Sequence, residues 1–224
     1  MTDSTLLFDL PTVTIRRAVV SEMENNVYLL TAKQTGTQVL IDAADDVPAI
    51  EALIADAAAD ADSEVEPELA IIATTHSHWD HIRALAELAD AYDVPTAAGA
   101  DDAPSIEDET GVSAECLLGH GDVLNLDGIV LTAVHLRGHT PGSIAYVLET
   151  PGEATIIFSG DSLFPGGVGN TQDDAERFTS LLNDVEERLF AAYPDSTIVL
   201  TGHGGSTTLG AERPALPEWR ERGW

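Results

Sequence analysis

Apolar and polar residues alternate enough along Thr12 to Val20 and again along Asn26 to Ala32 to predict two strands, by the two-residue period of an extended chain. Gln38 to Asp42 predicts a third strand after the Thr35-Gly36 turn. The period then changes. From Pro48 to Ala59 the apolar positions Ile50, Leu53, Ile54 and Ala57 share one face of a helix. Leu69 to Thr74 is a short apolar run that reads as a buried strand, and it ends at a cluster of histidines. His81 to Ala91 is helical again, with Ile82, Leu85, Ala86 and Ala89 together. Val130 to Leu136, Ser143 to Leu148, Ala154 to Phe158 and Thr197 to Leu200 predict further strands. A helix from about Asp173 to Ala192 separates the last two, and its acidic first turn (Asp173, Asp174, Glu176) suits the positive end of a helix dipole. Meander-like pairs come early and strand-loop-helix units surround the histidines, which favours a layered α/β architecture.

The most biased stretch, Asp56 to Glu68, is acidic and alanine-rich, and reads as the polar end of a helix and the loop after it. With no repeat and no long linker, residues 1–224 are expected to form a single domain, large enough for one sizeable core or at most two modest ones. No run approaches the roughly 18–20 apolar residues of a membrane span. Met1 to Asp9 lacks the basic and apolar regions of a secretory signal, and Cys116 is the only cysteine, so no internal disulfide can form. Both point to the cytoplasm.

Charge narrows the partners. Ten basic residues, of which Lys33 is the only lysine, stand against 39 acidic ones for a net charge of −29. Nucleic acid and anionic membrane would be repelled, because binding them needs clustered Lys and Arg; a small-molecule substrate is expected instead. The acidic, lysine-poor surface fits either an ordinary cytosolic protein or adaptation to high salt, where cations screen self-repulsion.

The chemistry is concentrated in His76-Ser77-His78-Trp79-Asp80-His81. His76, His78 and Asp80 recur at period two directly after a predicted strand, so an extended segment would turn them to one side while His81 projects elsewhere. One metal could not comfortably take all four; two metals a few Å apart could. Imidazole and carboxylate together suit Zn, Fe or Mn rather than Cu(I) or an iron–sulfur cluster. A lone histidine is usually a satisfied surface or core residue, but four potential ligands in six residues are not explained that way.

These residues resemble the HxHxDH signature of the metallo-β-lactamase superfamily, and its other motifs follow in order. Gly138-His139-Thr140-Pro141-Gly142-Ser143 resembles the loop that supplies a third histidine to the first metal. Ser159-Gly160-Asp161-Ser162-Leu163-Phe164 resembles the loop whose aspartate bridges both metals, and Thr201-Gly202-His203-Gly204 the loop that gives the second metal its last histidine. The resemblance runs from about Asn26 to Gly205 and implies a four-layer αββα sandwich. It further implies that His76, His78 and His139 hold one metal and Asp80, His81 and His203 the other, with Asp161 shared. The remaining histidines fall outside this set: His135 lies within a strand pattern and reads as a core or supporting residue, and His120 reads as a turn residue. Cys116, beside Leu117 and Leu118, reads as a small buried hydrophobe.

A hydroxide held between two such metals, its pKa lowered from 15.7 toward about 7 in the best-known zinc case, attacks a carbonyl without a Ser or Cys nucleophile. The resemblance adds Asp80 as a proton shuttle. It is strongest to the glyoxalase II-like branch of thioester hydrolases, through Gly160-Asp161-Ser162-Leu163-Phe164-Pro165-Gly166-Gly167-Val168-Gly169-Asn170. Two departures concern glutathione: many relatives carry Arg where this chain has Asn170, and only 21 residues follow His203, so a glutathione-binding C-terminal domain is not expected. Leu209 to Trp224 resembles the ending of compact bacterial members, with Trp219 and Trp224 packed on the body. Two divalent ions are therefore expected, zinc first and iron or manganese as alternatives. Competing readings are a one-iron persulfide dioxygenase, a lactonase, and a metal-binding interaction module without activity. A nuclease is disfavoured by the charge, and a β-lactamase by the missing signal sequence and by His81.

Overall fold

The computed structural model describes residues 4–62 and 64–223, which build two main sheets. The first takes its strands in chain order: β1 (Thr5–Asp9), β2 (Val13–Val20), β3 (Asn25–Ala32), β4 (Thr37–Ile41), β5 (Glu68–Ala73), β6 (Thr96–Gly99) and β7 (Cys116–Leu118). Pairing is antiparallel from β1 to β4 and parallel from β4 to β7. The second sheet begins with β8 (Val123–Leu126), β9 (Ile129–His135), β10 (Ile144–Leu148) and β11 (Ile156–Gly160). A small hairpin, β12 (Leu163–Phe164) and β13 (Gly167–Val168), then precedes β14 (Ile198–Thr201) and β15 (Thr207–Thr208). In space this sheet runs β15-β14-β11-β10-β9-β8, with β11 and β14 parallel. The helices are α1 (Val47–Ala57), α2 (Leu85–Tyr92), α3 (Ala103–Thr110), α4 (Ala175–Val185), α5 (Leu209–Glu212) and α6 (Leu216–Arg222).

Strand alternation makes the layers. On β3, Tyr28 and Leu30 face the second sheet while Val27 and Leu29 face helices. On β10, Ile144, Tyr146 and Leu148 enter the core between the sheets while Ala145 and Val147 enter an outer one. Ile50 and Leu53 of α1, Leu85 and Leu88 of α2 and Ile106 of α3 cover the first sheet. Phe178, Leu181, Leu182 and Val185 of α4, with Trp219 of α6, cover the second. Three apolar seams between four layers give the αββα sandwich, in which strands buried on both faces read as nearly unbroken apolar runs. Among the described residues no helix is long and apolar enough to cross a membrane.

Several sequence expectations need correction. The helix expected over His81 to Ala91 begins only at Leu85, because a 3-10 turn at Trp79–His81 comes first. The helix expected over Asp173 to Ala192 starts at Ala175, where Asp174 caps it by accepting from the Glu176 and Arg177 amides, and widens into a π turn at Glu186–Phe190. Gln172 and Asp173 have φ of 58° and 59°, a left-handed backbone that cannot open a helix. Cys116 is half-buried rather than buried, at the start of β7 against the inter-sheet core. Trp219 packs as expected, 1% exposed and edge-on to Phe190, whereas Trp224 lies outside the described residues.

Candidate metal centre

Five strands end at one edge of the sandwich and deliver the polar groups there. β4 ends at Asp42, β5 leads to His76, β9 to His139, β11 to Asp161 and β14 to His203. Loops at strand ends on a rigid sheet are where ligands converge. Thr75, the last residue before the histidines, is fixed by Asp42: its amide donates to Asp42 Oδ1 at 2.7 Å and its hydroxyl to Oδ2 at 2.8 Å. Asp42 has φ of 59°, is 2% exposed, and faces His81 Nδ1 at 2.9 Å.

The alternation expected for His76, His78 and Asp80 is not what divides the six-residue motif. At Trp79 the chain enters the 3-10 turn, closed by the His81 amide on the His78 carbonyl at 2.9 Å. The turn carries Asp80 round with His81, so the motif splits into a His76/His78 half and an Asp80/His81 half. His139 joins the first half and His203 the second; within each trio the potential ligand atoms lie within 4.8 Å of one another. Asp161 stands between them, with Oδ2 at 3.6 Å from His139 Nε2 and 3.4 Å from His203 Nε2, and Oδ1 at 3.5 Å from His81 Nε2. All seven residues singled out from the sequence thus meet. His120 sits in an exposed turn, and His135 ends β9 with Nε2 at 2.8 Å from the Pro141 carbonyl; neither is among them.

The ring nitrogens report what the cluster is built to hold. His139 Nδ1 faces the Asn170 carbonyl at 2.8 Å, His203 Nδ1 the Met23 carbonyl at 2.9 Å, and His81 Nδ1 the Asp42 carboxylate. These acceptors require the proton on Nδ1. Thr75, whose hydroxyl proton goes to Asp42, can only accept from His76 Nδ1 at 3.0 Å, so the same holds there. Nε2 of all four rings therefore points inward, His76 against His139 at 3.2 Å and His81 against His203 at 3.1 Å. Two facing lone pairs, as on His76 and His139, repel unless positive charge lies between them; at His203 a proton on Nε2, shared with Asp80 and Asp161, plays that part. Asp161 Oδ1 is also buried without a hydrogen-bond partner. An inward-facing donor set of imidazoles and carboxylates, each histidine oriented by an outer acceptor, fits divalent metals.

The electrostatics agree. Burial holds His76 well below the ordinary imidazole value, reinforced by its histidine neighbours, and lowers His78 and, to about 4, His139. At His81 burial acts the same way but is outweighed by Asp42. At His203 burial is outweighed by hydrogen bonds to Asp161 and Asp80, which raise it to about 10. Burial pushes Asp80 and Asp161 up, yet hydrogen bonding to His203 and the nearby ring charges leave both below the usual carboxylate range. The same negative charge that favours a proton at His203 favours a metal cation in its place.

Two supporting residues escaped the sequence analysis. Asp42 looked like the end of a strand, and Asn25 like a strand boundary. Asn25 Nδ2 donates to both the carbonyl and Oδ2 of Asp80 at 3.0 Å, while its Oδ1 accepts from the Ser21 hydroxyl. Their contacts lie 39 and 55 residues away along the chain, beyond any local pattern. Gly202 is what lets Asp161 approach: a Cβ there would lie 2.2 Å from Asp161 Oδ1 and 2.9 Å from His81 Cε1. Gly202→Ala is accordingly expected to displace Asp161 and to lower metal content per chain in elemental analysis. Unchanged metal content would mean that Asp161 is not held where the geometry requires it.

The sequence matches the family model of the metallo-beta-lactamase superfamily over residues 21–203. Hydroxyacylglutathione hydrolase GloC of Haemophilus influenzae is 29% identical over 170 residues, 69% of this chain and 77% of GloC. The crystal structure of ETHE1 from Myxococcus xanthus has a similar fold, with a TM-score of 0.75 at 25% identity over 92% of this chain and 84% of ETHE1. The crystal structure of TTHA1623 in a di-iron-bound form has a TM-score of 0.65 at 30% identity, covering 88% of this chain and 96% of that one.

Proposed function

The chain belongs to the metallo-beta-lactamase superfamily, whose members are generally hydrolytic, and from that premise we propose that it is a dinuclear metal-dependent hydrolase acting on a small thioester. The observation that carries the reading is the pair of facing Nε2 contacts, His76 with His139 and His81 with His203, on either side of Asp161. His76, His78 and His139 would hold one cation and Asp80, His81 and His203 the other, with Asp161 standing between the two trios. Similarity to GloC, a hydroxyacylglutathione hydrolase, supports a thioester, and similarity to the di-iron-bound form of TTHA1623 supports two ions. Zinc is the first choice of metal, with iron and manganese compatible with the same donors.

When bound, the two cations supply Lewis acidity and a water-derived nucleophile at neutral pH. The protein's share is orientation and proton handling. Asp42, Asn170 O and Met23 O hold the rings of His81, His139 and His203 with their lone pairs inward. Asp80, whose Oδ2 is engaged by Asn25 and His203, takes up the proton released as water adds to the acyl carbon. As the C–S bond breaks, Asp80 returns that proton to the departing sulfur, which leaves as the thiol. Cys116, at the start of β7, has no part in this. A cytoplasmic setting and the absence of nucleic-acid or membrane partners belong to the same proposal, from the charge of −29.

Elemental analysis followed by assays on S-lactoylglutathione, a generic thioester, a lactone and glutathione persulfide tests it. Two ions per chain with thiol release from a thioester is the expected result. One iron with oxygen uptake would replace the hydrolase with a dioxygenase, and preference for the lactone would move the substrate class. Full metal loading without turnover on any substrate would make the domain a metal-binding interaction module.

A further inference from the structure

We propose that Asp102 is a positioning residue for the three-histidine half of the centre, setting how tightly His76, His78 and His139 hold their cation without influencing the other half. This rests on the ligand assignment proposed above and not on the choice of substrate. Asp102 occupies the N-cap position of α3, where an aspartate ordinarily accepts from the first helical amides. It makes no such bond. Its carboxylate turns instead into the protein, where the residue is 1% exposed, and collects three donors: the Ser77 amide at 2.9 Å and the Thr140 hydroxyl at 2.6 Å on Oδ2, and the Gly142 amide at 2.6 Å on Oδ1.

Those donors define its role. Ser77 separates His76 from His78, Thr140 follows His139, and Gly142 closes the His139 loop. One loop leaves β5 in the first sheet and the other leaves β9 in the second, so one carboxylate at the end of β6 clamps ligand loops from two sheets. The fit is close: a Cβ at Gly142 would lie 2.3 Å from the Asp102 nitrogen and 2.8 Å from its Cβ. All three donors are neutral, and a buried carboxylate requires several of them. Its geometry is therefore stiff, and both loops inherit that stiffness. The Asp80/His81/His203 half has a support of its own in Asn25, while Asp42 holds His81 directly and reaches His76 through Thr75.

Asp102→Asn keeps the size and removes one acceptor oxygen, so the new NH₂ must face either the Gly142 amide or the Ser77 amide, donor against donor. Metal-free wild type, Asp102→Asn and His78→Ala are titrated with Co(II), read by d–d absorption and calorimetry. In Asp102→Asn one of the two binding steps is expected to weaken by about 10- to 100-fold, as for outer supports of metal ligands. It should be the step that His78→Ala lacks, with the other step held within about twofold because no bond of Asp102 reaches a residue of that half. Thr140→Val, which deletes only the 2.6 Å hydroxyl bond, should weaken the same step by about tenfold, and carries the test if Asp102→Asn does not fold. Equal weakening of both steps, or no weakening in a folded variant, would overturn the inference. A wild-type chain that takes up a single cobalt would remove both the two-site ligand assignment and this inference. A lack of thioester turnover alone would refute only the substrate.

Discussion

Replacing His78 by alanine is expected to leave a folded chain that turns over its substrate at least about 10³-fold more slowly, because a catalytic cation contributes several kcal/mol of transition-state stabilisation and each 1.36 kcal/mol is tenfold in rate. His78 contributes to none of the three apolar seams, so its removal opens no core cavity. It belongs to the trio with His76 and His139, and two imidazoles with the shared Asp161 make a weaker divalent site than three. Metal content should fall, with the circular dichroism spectrum retained. His120→Ala, in an exposed turn, is the matched control and should keep both metal and rate. Wild-type turnover in the His78 variant would refute the ligand assignment.

The strands that build the frame are legible because their neighbours are. β10 is apolar at every position and β3 is apolar from Val27 to Leu30, as strands covered on both faces are, and those runs stand out in the sequence. α3 is not legible, since among its eight residues only Ala103 and Ile106 are buried and no stripe forms. β6, Thr96–Gly99, is short and holds two alanines and a glycine, too little for a pattern.

The centre divides in the same way. His76, His78, Asp80 and His81 are dense enough to stand out alone, and the other three fall in loops that resemble known motifs. The residues that hold them do not stand out. Asp42, Asn25 and Asp102 are three of many polar side chains, and their meaning lies in partners brought close by sheet pairing. Even within the motif, period two alone would turn Asp80 to the side of His76 and His78, whereas the 3-10 turn at Trp79–His81 carries it round with His81.

The melting temperature should rise by roughly 10–20 °C between 0.01 M and 1 M NaCl. With ten basic against 39 acidic residues, at least 29 carboxylates have no cation to match them even if every Arg and Lys is paired. Many lie on open helix faces, among them Glu107, Asp108 and Glu109 on α3 and Glu51 and Asp56 on α1. At 0.01 M salt the screening length of about 30 Å exceeds the radius of gyration of about 17 Å expected for this length, so each charge feels all the others. At 1 M it shrinks to about 3 Å, and only adjacent pairs interact. Like-charged neighbours cost about 0.2–0.5 kcal/mol a pair, so screening the excess recovers on the order of 5 kcal/mol, and a chain of this size gains about 2–4 °C per kcal/mol. The unfolded chain carries the same charge but spreads it over a larger radius, so it gains less from salt and the folded state is favoured. Melts of the metal-free protein remove any contribution from cation binding at the centre. Most of the rise should come below about 0.3 M, where screening changes fastest and salt effects on apolar hydration are still small. A flat or falling melting temperature over that range would mean that the carboxylates are already neutralised in the folded state.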